Sequence, residues 1–142
     1  MSDQKNNKIK IIKDLGFQVS VSKTFPINSD AMWELLLSEK GISVWLGEID
    51  VNDFEIQKPF VTKAGIEGKL VVYIPDSHLR FRWKHNNWEK YSTVELRLTP
   101  LKGKTNVIFH QTDFYKIEQK EELRNYWKNV ISNMMKELAN KS

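Results

Sequence analysis

Between Leu79 and Lys84 the chain alternates without a break: Leu79, Phe81 and Trp83 are apolar, while Arg80, Arg82 and Lys84 are cationic. A period of two sustained this long marks a strand with one dry face and one wet face, and it commits the chain to a sheet that something apolar must cover. The cover lies near the other end of the sequence. Leu123, Tyr126, Trp127, Val130, Ile131, Met134 and Leu138 recur every three or four residues among Lys, Glu and Asn, which predicts a long amphipathic helix.

The remaining segments fit the same plan. Phe17, Val19 and Val21 alternate with Gln18, Ser20 and Ser22, and Phe25 resumes the face, so a first strand is expected to end at Pro26. Asn28-Ser29-Asp30 offers helix-capping side chains ahead of Ala31, Met32, Trp33 and Leu35 to Leu37, a short helix expected to stop near Ser38. Gly41 reads as a break before a second short helix from Ile42 to Gly47. Glu48 to Phe60 reads as short stretches punctuated by turns. Gly65-Ile66-Glu67-Gly68 then leads into a strand over Lys69 to Ile74, ended by Pro75-Asp76. Val94, Leu96 and Leu98, followed by Thr105, Val107, Phe109 and Gln111, give the inner faces of a hairpin about Lys102-Gly103-Lys104. The order implies an α+β chain in which a curved antiparallel sheet wraps the C-terminal helix, with two short helices after the first strand. Residues 1–15, lysine-rich with Ile9, Ile11, Ile12 and Leu15 as anchors, read as an N-terminal extension, and 16–140 as one domain.

Composition narrows the function classes. A length of 142 residues suffices for one hydrophobic core without staples. The absence of cysteine removes disulfides, thiol nucleophiles and thiolate metal sites, and fits a cytoplasmic protein. No apolar run approaches the ~20 residues of a membrane span. The net charge of +4 is mild, and no nucleic-acid partner is expected from it. His78 and His110 fall on outward parities and His85 in a loop, so no metal site is expected. With no nucleophile beside a base and no paired carboxylates, no catalytic residue and no cofactor is named.

Several segments taken together resemble a known family: Thr24-Phe25-Pro26, Met32-Trp33-Glu34-Leu35-Leu36, Val44-Trp45-Leu46-Gly47, Gly65 to Leu70, Pro75 with Leu79 to Trp83, Thr105 with Val107 and Phe109, and Trp127 to Met134. In this order, from about residue 17 to 139, they resemble the START-like, Bet v 1-like (SRPBCC) superfamily and its bacterial branch similar to the C-terminal domain of the Hsp90 ATPase activator Aha1. The resemblance implies a helix-grip fold with a cavity between sheet and long helix, used across the superfamily for lipids, sterols and polyketides. One departure is Gln111, which stands where the family's last strand usually carries a histidine.

On that basis the expected cavity wall is Trp45, Phe81, Trp83, Phe109, Gln111, Tyr126, Trp127, Val130, Ile131 and Met134, aromatic stripes that equally serve as core. The expected function is non-catalytic binding of an apolar or aromatic small molecule. The alternative is a protein-interaction domain acting on an Hsp90-type ATPase, with the outward cations Arg80, Arg82, Lys84 and Arg97 as its contact surface. A cyclase- or hydrolase-type enzyme is a further alternative that lacks an acid or base in the expected cavity.

Overall fold

The protein is described here by a computed structural model over residues 17–141. The extension expected over residues 1–15 lies outside these described residues. The alternating segments become strands of one six-stranded sheet: β1 (Phe17–Phe25), β2 (Pro59–Val61), β3 (Ile66–Ile74), β4 (His78–His85), β5 (Ser92–Leu101) and β6 (Lys104–Phe114). All pair antiparallel in the order β1-β6-β5-β4-β3-β2, so the chain makes a meander from β2 to β6 and the first strand returns to pair with the last. Between β1 and β2 come α1 (Ser29–Leu37), α2 (Glu39–Trp45) and a single 3-10 turn, Val51–Asp53. The chain continues after β6 into α3 (Ile117–Lys141), 25 residues and about 37 Å long. This is the helix-grip α+β architecture.

Parity decides what lies inside. Leu79, Phe81 and Trp83 of β4, Val94, Leu96 and Leu98 of β5, and Thr105, Val107, Phe109 and Gln111 of β6 are all buried. Onto this face α3 lays Leu123, Trp127, Val130, Ile131 and Met134, packing against β1, β6 and α2. Its start is fixed by buried Gln119, whose Oε1 accepts from the backbone N–H of Tyr115 (2.9 Å) and Lys116 (2.8 Å), satisfying donors ahead of the first turn.

Three expectations are corrected locally, the first being that of His85, expected in a loop but found as the last residue of β4. Gly41 does not break the chain; it lies in the first turn of α2, and the break falls at Ser38, whose Oγ accepts from Gly41 N at 3.0 Å. Glycine is required there by proximity, since a Cβ would run into the carbonyl oxygen of Leu35. The strand expected from Lys69 begins at Ile66, with Gly68 inside it because a Cβ would meet the Arg82 carbonyl and the Phe60 ring. Within β3 the register shifts between Leu70 and Val72, which puts an extra residue at Val71 and lets Tyr73 pair with Leu79 on the inner side.

Candidate functional site

The aromatic residues expected to line a cavity do converge, and they fill the space between sheet and helix with their own rings. Phe109 and Trp127 stack with centroids 4.6 Å apart and planes 13° from parallel. Trp45 leans on Phe81 at 5.5 Å and Phe109 at 6.2 Å, and Trp83 lies 6.4 Å from Trp127 and 5.9 Å from Tyr126. Trp45, Phe81, Trp83, Phe109 and Trp127 have no exposed surface. Val130, Ile131 and Met134 are buried along α3; Ile131 also reaches a shallow groove with Lys23, Lys128 and Met135.

The polar atoms in this interior are joined in a relay. Trp127 Nε1 donates to Gln111 Oε1 (2.7 Å), Gln111 Nε2 donates to Ser92 Oγ (2.8 Å), and Ser92 Oγ donates to the Trp83 carbonyl (2.6 Å). Each of these donors would cost a few kcal/mol if buried unpaired, and each is matched. Nearby, Trp45 Nε1 donates to the Leu36 carbonyl (2.8 Å) and the Tyr126 hydroxyl to the Trp45 carbonyl (3.1 Å). Burial pushes the Tyr126 phenol up to about 12, so it stays a neutral donor at physiological pH. Among the described residues one buried side-chain polar atom has no partner, Trp83 Nε1.

Open space lies around this interior. A cleft of about 800 Å³ opens where α1 and α2 meet the β2–β3 side of the sheet, with Leu37, Ile42, Phe54, Leu70 and Tyr73 as its apolar wall and Glu55, Gln57 and Lys58 at its polar side. Its link to the interior is Phe54, half-buried just after the 3-10 turn, with its ring 5.8 Å from Trp45 and 5.9 Å from Phe60. No periodicity pointed to Phe54, because the apolar residues from Val51 to Ile56 follow neither strand nor helix spacing. The segment carrying it is held by exposed ion pairs from Lys58 to Asp53 (2.9 Å) and Glu55 (3.7 Å), a weak tether.

The outward cations do not act as a uniform row. Arg80 Nη2 and Arg97 Nη2 both pair with Glu95, at 3.3 and 2.6 Å. Burial pushes the Glu95 carboxyl up, but Arg97 and Arg80 outweigh it and hold the group below its ordinary value. Lys84 turns away, to Glu67 at 3.7 Å and to the Trp88 carbonyl at 3.1 Å. Arg82 has no ion-pair partner among the described residues, and it lines an outer-face groove of about 500 Å³ together with His110 and Asp113. Among the described residues no group of three or more histidines and carboxylates could hold a metal ion, and no helix is long and apolar enough to cross a membrane.

The fold has relatives among solved structures. A protein from Mesorhizobium loti is 17% identical, with a TM-score of 0.78 over 89% of this chain and 99% of its own. An HSP90 activator from Plasmodium falciparum is 16% identical, with a TM-score of 0.70 over 87% and 97%. The Aha1 dimer from Colwellia psychrerythraea is 12% identical, with a TM-score of 0.68 over 84% and 93%. At these identities the likeness is one of fold. No curated protein sequence matches the chain. Residues 27–140 match the family described as Activator of Hsp90 ATPase homolog 1-like protein, and the chain is a member of that family within the SRPBCC superfamily.

Proposed function

We propose that the domain is a non-catalytic binding module that takes an apolar or aromatic small molecule into the cleft beside α1 and α2. The observation that carries this is an opening of about 800 Å³ with one apolar wall, from which a single side chain, Phe54, reaches the aromatic interior at Trp45. A ligand seated on Leu37, Ile42 and Leu70 buries apolar surface without breaking the packed core. A longer one displaces Phe54 and reaches Trp45, with Phe81, Trp83, Phe109, Gln111 and Trp127 behind it. Titration of labelled protein with fatty acids, sterols, flavonoid-like aromatics and polyketides tests the reading: saturable shifts should gather on Leu37, Ile42, Phe54 and Tyr73, and Leu37→Trp should remove them by filling the cleft. Shifts elsewhere, or none, overturn it.

A second reading has its own observation. Arg82 stands free beside the paired Arg80–Glu95–Arg97 group, a surface suited to an acidic partner protein, and one structural relative is an HSP90 activator. In this reading Arg82→Glu abolishes binding to an Hsp90-type ATPase while ligand shifts in the cleft survive; equal binding by that variant removes it.

A further inference from the structure

A further opening, of about 650 Å³, lies at the far end of β4 against α3, and its walls are more polar than those of the cleft beside α1 and α2. One wall is the turn after β4, where Trp88 N donates to the His85 carbonyl (2.9 Å) and Asn86 N to the Gly65 carbonyl (2.9 Å). The turn is thereby held with Asn86 and Asn87 at its tip. The other wall is α3, where Asn125 and Asn129 are four residues apart and so share a face. None of the four carboxamides has an intramolecular hydrogen bond among the described residues. Each offers two donors and an acceptor.

Between the walls stands Trp88, half-buried, whose ring meets Trp83, His85 and Tyr115 edge to face at 5.3, 5.5 and 6.1 Å and is stacked by none of them. Glu122 is the lining carboxylate, and no lysine or arginine joins it. Burial pushes the His85 imidazole down, against the opposing pull of Glu122, which favours the neutral ring. Below the cleft lies Trp83, whose unpartnered Nε1 belongs to a ring surrounded by three of the residues lining the opening, His85, Trp88 and Tyr126.

We propose that this cleft binds a neutral saccharide, with Asn86 and Asn87 on one side and Asn125 and Asn129 on the other hydrogen-bonding its hydroxyls, and Trp88 against its apolar ring face. Carboxamides on two opposing walls match a ligand with donors and acceptors around its whole rim. A nucleobase presents such groups along its edges only, and its ribose occupies one side. An anion is disfavoured because Glu122 lines the cleft and no lysine or arginine does. Hydroxyls replace the water that now solvates the carboxamides, so the hydrogen bonds are exchanged rather than lost.

The test is an amide and carboxamide NMR titration of the full chain with glucose, galactose, N-acetylglucosamine, cellotetraose and chitotetraose, with adenosine in parallel. Saturable shifts of the Asn86, Asn87, Asn125 and Asn129 side chains are expected with at least one sugar, and Asn125→Ala/Asn129→Ala should weaken that response roughly tenfold or more. Both positions are exposed on a helix, where alanine is the better helix former, so the double variant remains folded. Trp88→Ala should weaken the same response. No saturable shift with any sugar up to about 10 mM, an undiminished response in the double variant, or shifts with adenosine alone would each overturn the assignment. Failure here leaves the apolar cleft untouched, since no residue lines both openings.

Discussion

The indole N–H of Trp127 in α3 donates a 2.7 Å hydrogen bond to the side-chain oxygen of Gln111 in β6, a buried polar tie between the long helix and the sheet. Gln111→Leu leaves the Trp127 donor buried without an acceptor and is expected to cost about 1–3 kcal/mol in urea unfolding. Adding Trp127→Phe to that variant removes the stranded donor, so the double variant should lose less than the two singles summed, by about 0.5 kcal/mol or more. Strict additivity would mean that the bond does not couple helix and sheet.

Tyr126 gives the domain an alkaline limit. Its phenol ionises near 10 in the unfolded chain and at about 12 in the folded one, so its contribution is intact below pH 10 and is lost as pH rises from 10 towards 12. Tyr126→Phe should be less stable than the wild type by about 1 kcal/mol at pH 8, through the lost bond to the Trp45 carbonyl. By about pH 11 that difference should vanish, because only the wild type loses roughly 1.4 kcal/mol per pH unit through this group. Parallel unfolding curves at both pH values decide it.

Glu95 sets the opposite limit. With its carboxyl held below the ordinary 4.5 in the folded state, the stabilisation by Arg97 and Arg80 is present above that value and lost as pH falls through the folded-state value. Glu95→Gln should therefore cost about 1 kcal/mol at pH 7 and nothing once the wild-type carboxyl is protonated. An unchanged gap between the two proteins down to pH 2.5, about two units below the ordinary value, would refute the pairing.

Two glycines separate crowding from backbone strain. Gly41→Ala drives a methyl into the Leu35 carbonyl oxygen and forces α1 and α2 apart, so a loss of about 2–4 kcal/mol is expected. Gly103→Ala meets nothing within 4 Å but keeps a φ of 71°, and should cost only about 1 kcal/mol. Thermal unfolding of the pair should rank them in that order.

What the sequence made legible follows from periodicity. The inner faces of β4, β5 and β6 and the buried stripe of α3 could be read because apolar and polar side chains alternate there at strand or helix spacing. The bulge at Val71 could not, since Leu70 to Tyr73 are all apolar or aromatic and carry no parity to shift. Gly41 was misplaced because a glycine demanded by a neighbouring helix looks, in one dimension, like a glycine that ends one. Parity put Gln111 inside the domain but left its partner open, as that depends on the rotational phase of α3. The convergence of Phe54 on Trp45 and of the four asparagines on one opening was invisible because their neighbours in space come from distant parts of the chain.

The return of β1 to the far side of the meander also governs how the molecule assembles. Val19 lies opposite Gln111, so about ninety residues of chain must close into a loop before the first strand finds its place. The hairpins from β2 to β6 need no such closure and can form while β1 waits. Made before the other described strands, β1 pairs among them with β6 alone, so the sheet is expected to be completed late, once β6 has been made.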